Sequence, residues 1–193
     1  MPKPFDATLK MMLEAGPSDW LVLAGLPPRP GVVIDADVSA VTAATDKVIR
    51  VDDDPPWLFD LNFQTGADRS LPRRVHLYNT LLHERHGLPV RSTVILLTRD
   101  ANLRSINGHY SRRFAGEAPY LDFRYQVIRV WELSPEELLR GGLSLLPLAP
   151  ISAVEPEELP GVLHRMNERL AEPGAKKYAP ELWTASTILL GLR

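Results

Sequence analysis

The sequence predicts an α/β fold in which helices flank a mixed central β-sheet. Residues 57–64 alternate large apolar side chains with polar ones, as a strand with one packed face does. Residues 71–85 carry an apolar stripe at helical spacing, and residues 90–98 are a β-branched run typical of a strand buried on both faces. A helix between two strands forms a β-α-β crossover, which places helices on the faces of the sheet.

The N-terminal half begins with helical spacing of apolar residues over 5–15, and Gly16-Pro17 ends that pattern. Ser18 or Asp19 is expected to cap a second short helix that runs to Leu26. An extended segment is predicted at 31–35. Residues 46–51 and 57–64 then form a hairpin across the Asp- and Pro-rich turn at 52–56.

The C-terminal half continues after the 71–85 helix, which Gly87 ends, and the 90–98 strand. Alternation over 120–133 predicts a second long strand. Ser134 and Pro135 then fit the N-cap and first position of a helix, and two terminal helices follow at 155–171 and 180–192. We expect one domain over 1–145 and a helical extension over 146–193.

The composition excludes several classes of protein. The 193 residues are 45% hydrophobic and 24% charged, which is typical of a soluble globular chain. The net charge of −2 means that nucleic-acid binding would need a local basic patch. The absence of cysteine excludes disulfides, thiolate metal sites and a cysteine nucleophile. Without a signal-peptide pattern or a membrane-length apolar run, a cytoplasmic protein with no membrane partner is expected.

One face of the 57–64 strand carries Asp60, Asn62 and Gln64 in succession. Asp46 begins the partner strand, sixteen residues before Asn62, so a single hairpin can bring the two positions together. An acid, a second polar oxygen and a glutamine in this arrangement can hold a divalent cation. The alternative is an ordinary polar face of a strand.

The order and spacing of several short motifs carry a resemblance to a known family. The motifs are FDATLK at 5–10, DKVIRV at 46–51, LNFQ at 61–64, DRSLPRR at 68–74, YN at 78–79 and HGLPV at 86–90. Together they resemble the PD-(D/E)XK nuclease superfamily and, more closely, its Rpn branch of recombination-promoting nucleases or putative transposases. The resemblance spans roughly residues 5–132.

The resemblance implies a restriction-endonuclease-like core and a metal-dependent DNA endonuclease that hydrolyses a phosphodiester with water activated by Mg²⁺ or Mn²⁺. It assigns catalytic positions to Asp46, Asn62 and Gln64. It assigns metal ligation to Asp46 and indicates Glu14, on the first helix, as a further acid. Asp60, two positions before Asn62 on the same face of the strand, could replace the missing acid if the metal site moved. The resemblance assigns contacts with DNA phosphates to Arg69, Arg73 and Arg74, which could equally form a solvated helix face.

The chain departs from the family at the central acid, because Asn62 stands where the family has glutamate. Asparagine offers one neutral carbonyl oxygen and cannot ionise, so weak or absent catalysis is expected at least as much as normal activity. The alternative function is an inactive nuclease-fold module that binds or interacts.

Further residues have weaker interpretations. The run at 52–54 is interpreted as a solvated turn, and the histidines at 76, 83 and 86 are not interpreted as a metal site. The basic segment around His109, Tyr110, Arg112 and Arg113 is either a substrate-facing edge or solvent-exposed. The apolar residues at 182–190 must pack on the domain or on another subunit, which makes a homodimer reasonable.

Overall fold

The computed structural model describes residues 4–34 and 47–193, with side chains from residue 8 onward. The chain forms two compact units. The first comprises Met1–Val33 and Arg129–Arg193, and the second comprises Ile34–Ile128. The predicted boundary after residue 145 therefore falls inside the first unit, where N-terminal and C-terminal helices pack together.

The helices and strands follow the chain in a mixed order. They are α1 (Pro4–Ala15), α2 (Pro17–Leu23), β1 (Gly31–Ile34), β2 (Lys47–Val51), β3 (Trp57–Gln64), α3 (Leu71–His86), β4 (Val90–Leu96), β5 (His109–Arg112), β6 (Leu121–Arg124), β7 (Gln126–Arg129), α4 (Pro135–Arg140), α5 (Leu159–Ala171) and α6 (Ala179–Leu190).

The main sheet has five strands in the order β1-β2-β3-β4-β7. Strands β2 and β3 are antiparallel, with Lys47 opposite Leu61. Strands β3 and β4 are parallel, with Asp60 opposite Ser92, and α3 connects them. The predicted α/β class, the hairpin, the β-α-β crossover and the mixed sheet are all confirmed.

Helix α3 packs on the sheet through its apolar stripe. Val75, Tyr78 and Leu82 are buried, and Leu82 joins Val48 and Leu58 in one apolar cluster. Full burial of side chains of this size stabilises the fold by about 2 kcal/mol each. Gly87 ends the helix in the left-handed conformation, with φ of 65°, and its N–H donates to the His83 carbonyl at 2.8 Å.

The first unit packs its helices around a 3₁₀ segment at Leu143–Ile151. Leu182 and Leu189 of α6 are fully buried, and α6 contacts this segment and α1. These apolar residues of α6 are therefore covered within their own unit.

The predicted cap of the second helix is wrong. Helix α2 begins at Pro17, before both candidate caps, and ends at Leu23 and not at Leu26; its N-cap position is Gly16, which has no side chain to cap it. The Ser18 hydroxyl instead donates to the Arg29 carbonyl at 2.8 Å. The Asp19 carboxylate instead accepts a hydrogen bond from the Ser144 hydroxyl at 2.7 Å, because the later chain returns to this helix.

The predicted long strand over 120–133 is also wrong, although its residues alternate. The segment divides into β6, which pairs only with β5 in a two-stranded sheet, and β7, at the edge of the main sheet. Tyr125 separates them, with its N–H donating to the Gly108 carbonyl at 2.9 Å. Alternation gives the face of each residue and does not reveal a change of sheet.

No helix among residues 4–34 and 47–193 has both the length and the apolar character needed to cross a membrane.

Candidate nucleic-acid interface

The polar face of β3 is buried. Asp60 is fully buried and Asn62 is 4% exposed. The Asn62 side-chain amide donates to Asp60 Oδ2 at 3.0 Å, and the Ser92 hydroxyl donates to the same oxygen at 2.8 Å. Two donors thus converge on one carboxylate oxygen inside the unit.

Helix α3 extends this network from above the sheet. The Asn79 amide donates to Ser92 Oγ and to the Val90 carbonyl, both at 3.0 Å. We call Asp60, Asn62, Asn79 and Ser92 the buried polar cluster. It ties β3, β4 and α3 together, and buried polar groups are stable only when hydrogen bonded in this way.

The buried polar cluster does not fit a metal site of the expected kind. A hard divalent cation is coordinated by oxygen lone pairs directed at it, and in a Mg²⁺ site one or two carboxylates supply part of that set. Here Asp60 Oδ2 accepts two protein donors, and the Asn62 side chain presents its N–H to Asp60. Within the described part of the chain, no group of three or more histidines and acids could hold a metal ion.

Of the two other predicted metal ligands, the structure describes only Glu14. Asp46 lies outside the described residues; it directly precedes Lys47, whose partner across the hairpin is Leu61, next to Asn62. Glu14 lies on α1 in the first unit, about half exposed, with its carboxylate 3.8 Å from the Lys10 ammonium.

Gln64 and Arg74 form a separate group at the end of β3. The Gln64 amide donates to the Gly66 carbonyl at 2.6 Å, and its oxygen accepts from Arg74 Nη2 at 3.4 Å. Arg74 Nη1 lies 2.8 Å from Asp68 Oδ2 in an ion pair. The Arg74 guanidinium is therefore already engaged by Asp68 and Gln64.

Asp68 is positioned to keep its negative charge. Its Oδ1 accepts from the Ser70 N–H at 2.8 Å and from the Ser70 hydroxyl at 2.6 Å. Partial burial raises the pKa of Asp68, but these hydrogen bonds and the Arg74 charge outweigh it, so the pKa lies below the usual aspartate value. The carboxylate is thus ionised at neutral pH and stays paired with Arg74.

Arg69 and Arg73 open instead onto a groove of about 530 Å³, which we call the basic groove. It lies between the start of α3, the loop before β5, and β5 itself. Its lining residues are Arg69, Ser70, Pro72, Arg73, Ser105, His109, Tyr110, Ser111 and Arg112.

The side chains of the basic groove suit a phosphate-bearing ligand. Arg69, Arg73 and Arg112 are exposed, and side chains with hydroxyl groups line the same groove. Arg104 adds a fourth cation in a smaller adjoining hollow that Arg69 also lines. Guanidinium groups and hydroxyls make most protein contacts with nucleic-acid phosphates. The cations are concentrated locally in a chain whose net charge is −2.

An aromatic cluster fixes one wall of the basic groove. His76 of α3 lies 5.8 Å from the Tyr110 ring and 5.1 Å from the Phe123 ring, between ring centroids. Burial lowers the pKa of His76, which favours a neutral packing role. The Arg112 guanidinium lies 4.7 Å from the Tyr110 ring centroid. These contacts hold β5 against α3.

The sequence identified Arg69 and Arg73, and it left the segment around His109 open between a substrate edge and solvent. It missed Arg104 and Ser105, because neither belongs to a motif. These residues lie in the loop after β4, and the parallel pairing of β3 with β4 brings that loop beside the one that carries Arg69; the Thr98 hydroxyl donates to the Thr65 carbonyl at 2.8 Å there.

No protein-family model matches this chain, and neither the curated proteins nor the solved structures contain a match. The resemblance to PD-(D/E)XK nucleases therefore stays a prediction that rests on the motifs.

Proposed function

We propose that this chain is a DNA-binding domain related to the PD-(D/E)XK nucleases of the Rpn type, with weak or absent hydrolytic activity. The observation that carries the proposal is the basic groove, with three exposed arginines beside hydroxyl groups. Binding of DNA phosphates by such cations releases condensed counterions, which supplies affinity independent of sequence.

The second part of the proposal rests on position 62. Asn62 is neutral, buried and hydrogen bonded to Asp60, so it serves the packing of β3. The family places a second carboxylate at this position, and each carboxylate strengthens the binding of the ion that activates the water. The ligand set of the predicted nuclease is therefore incomplete on β3.

An active endonuclease is the second candidate function, and one observation favours it. Asp46 directly precedes Lys47, and the partner of Lys47 is adjacent to Asn62. Mg²⁺ or Mn²⁺ bound near Asp46 would supply an activated water and stabilise charge on the phosphate.

The experiment is equilibrium binding of a fluorescein-labelled 20-base-pair duplex, measured by anisotropy in EDTA. We expect the Arg69→Ala/Arg73→Ala variant to bind at least tenfold more weakly than wild type, because two phosphate contacts are lost. Arg85→Ala is the matched control, because Arg85 is an exposed arginine in the last turn of α3, at the opposite end of the helix from Arg73. Equal affinities for all three proteins would contradict the proposal.

The catalytic part needs its own assay. Supercoiled plasmid is incubated with wild type and with Asp46→Ala in Mg²⁺ or Mn²⁺. We expect no nicking above the Asp46→Ala background. Nicking by wild type that requires metal and disappears in Asp46→Ala would establish the second candidate function.

A further inference from the structure

We propose that the β5–β6 hairpin, residues 109–124, stacks unpaired DNA bases on the side chains of Phe114 and Tyr120. This inference rests on the proposed function, and it names the form of DNA that the domain prefers: duplex next to a single-stranded segment.

The first observation is a pair of exposed aromatic rings at the tip of the hairpin. Phe114 is 63% exposed and Tyr120 is 64% exposed. Their ring centroids lie 5.2 Å apart, with the planes inclined by 34°. Removing both rings from water would be energetically favourable. A nucleobase has a flat apolar face that can stack on each ring and exclude water from it.

The second observation is the charge around these rings. Arg112 and Arg113 directly precede Phe114, and Arg124 lies at the base of the hairpin. The hairpin carries two acids: Asp122 is engaged, with its carboxylate 3.2 Å from His109 Nε2 and 3.7 Å from Arg124 Nε, and Glu117 is exposed in the turn. The three arginines outnumber these two acids. Exposed aromatic rings interleaved with arginines are the chemistry of single-stranded nucleic-acid binding.

The third observation is continuity with the basic groove. Tyr110, Ser111 and Arg112 of β5 line that groove, and Phe114 follows Arg112 by two residues. A strand whose phosphates lie in the groove would therefore reach the hairpin tip. This continuity favours a nucleic acid over a protein partner as the occupant of the two rings.

The conformation of the tip is set by the backbone. Gly116 adopts φ of 78°, which favours glycine, and the Tyr120 N–H donates to the Arg112 carbonyl at 3.0 Å. The antiparallel pairing of β5 with β6 runs from His109 opposite Arg124 to Arg112 opposite Leu121. Backbone hydrogen bonds between β5 and β6 thus hold the tip in place. We expect this hairpin to stay folded when the two exposed rings are replaced.

The test compares two DNA ligands by fluorescence anisotropy: a blunt 16-base-pair duplex, and the same duplex with a ten-nucleotide single-stranded tail. The proteins are wild type, Phe114→Ala/Tyr120→Ala and Phe114→Leu/Tyr120→Leu. The leucine variant keeps apolar side chains and removes the aromatic faces. Leu77→Ala, at another exposed apolar position, is the control.

We expect wild type and Leu77→Ala to bind the tailed duplex about tenfold or more tightly than the blunt duplex, since each stacked base contributes at this level. Both double variants should lose that preference and keep the affinity for the blunt duplex. Equal binding of the two ligands by wild type overturns the inference while the proposed function stands. Absence of binding to either ligand overturns both.

Two further measurements test whether RNA or a second copy of the chain covers the two rings instead. A tail of RNA that binds tenfold more tightly than the DNA tail would overturn DNA as the ligand. Sedimentation without DNA would overturn the inference if wild type is a dimer and Phe114→Ala/Tyr120→Ala is a monomer, because the rings would then be covered by a second copy. Monomers in both cases support it.

Discussion

The buried polar cluster and the basic groove lie in the same unit, and both were expected to serve one active site. In the cluster, Asp60 and Asn62 are buried and bound to partners on β4 and in their own strand. In the groove, Arg69 and Arg73 are exposed and line about 530 Å³ of open space.

The difference teaches that residue type alone does not identify a functional site. An acid and an amide two positions apart on a strand can both coordinate a metal ion. They can equally form a hydrogen bond with each other when a helix buries them. Arg74 makes the same point at the edge of the groove, since Asp68 and Gln64 hold it while its neighbour Arg73 is exposed.

The largest expected effect comes from Asn62→Glu. A second carboxylate beside the buried Asp60 replaces a hydrogen-bond donor with a like charge. We expect the free energy of unfolding to fall by about 3 kcal/mol in urea denaturation at pH 7. Gln64→Glu is the control and should cost less, because Gln64 is only half-buried. A stable Asn62→Glu variant that binds Mn²⁺ would show that the cluster is a metal site lacking one acid.

Removing one hydroxyl group from each region, with Ser92→Ala in the cluster and Ser105→Ala in the groove, compares their contributions to stability. Ser92→Ala removes a donor to Asp60 and the acceptor of Asn79 inside the unit, so we expect a loss of about 1–2 kcal/mol in the free energy of unfolding. Ser105→Ala in the basic groove should change that free energy by less than about 0.5 kcal/mol, since Ser105 is exposed. Equal costs at the two positions would remove the contrast between cluster and groove.

A smaller effect is expected for Asp68→Asn, which weakens the contact that holds Arg74. At pH 7 the free energy of unfolding should fall by about 0.5–1 kcal/mol, because the ion pair with Arg74 and a negative charge near the start of α3 are both lost. The pKa of Asp68 is lowered in the folded state, so its stabilisation is present above the usual aspartate pKa of about 3.9 and is lost as the pH falls through the lower folded value.

Urea denaturation of wild type and Asp68→Asn over this pH range checks the sign. The difference in unfolding free energy between the two proteins should be constant near neutrality and should shrink below about pH 4. A difference that grows on acidification would contradict the lowered pKa of Asp68.

Much of the second unit could be predicted from the sequence. The bounds of β3 are those of the alternating segment, and α3 ends at the glycine that the pattern indicated. Periodicity and a left-handed glycine are local signals, and local signals are sufficient where one element continues without interruption.

The remainder depends on tertiary packing. Alternation places Asp60 and Asn62 on one face of β3, but it cannot show that α3 covers that face. Arg104 and Ser105 are near Arg69 because the loops that follow the parallel strands β3 and β4 meet at one edge of the sheet. The change of sheet at Tyr125 leaves the alternating pattern intact, so the sequence predicted one strand where there are two.

The measurement that tests the central claim most directly is the salt dependence of duplex DNA binding. The claim is that the basic groove, and not the face of Asp60 and Asn62, contacts DNA. We expect the slope of log K against log salt to become shallower by about 2 in Arg69→Ala/Arg73→Ala, because each lost phosphate contact contributes about 0.9. Arg85→Ala should keep the wild-type slope. A double variant with the wild-type slope and affinity would contradict the account.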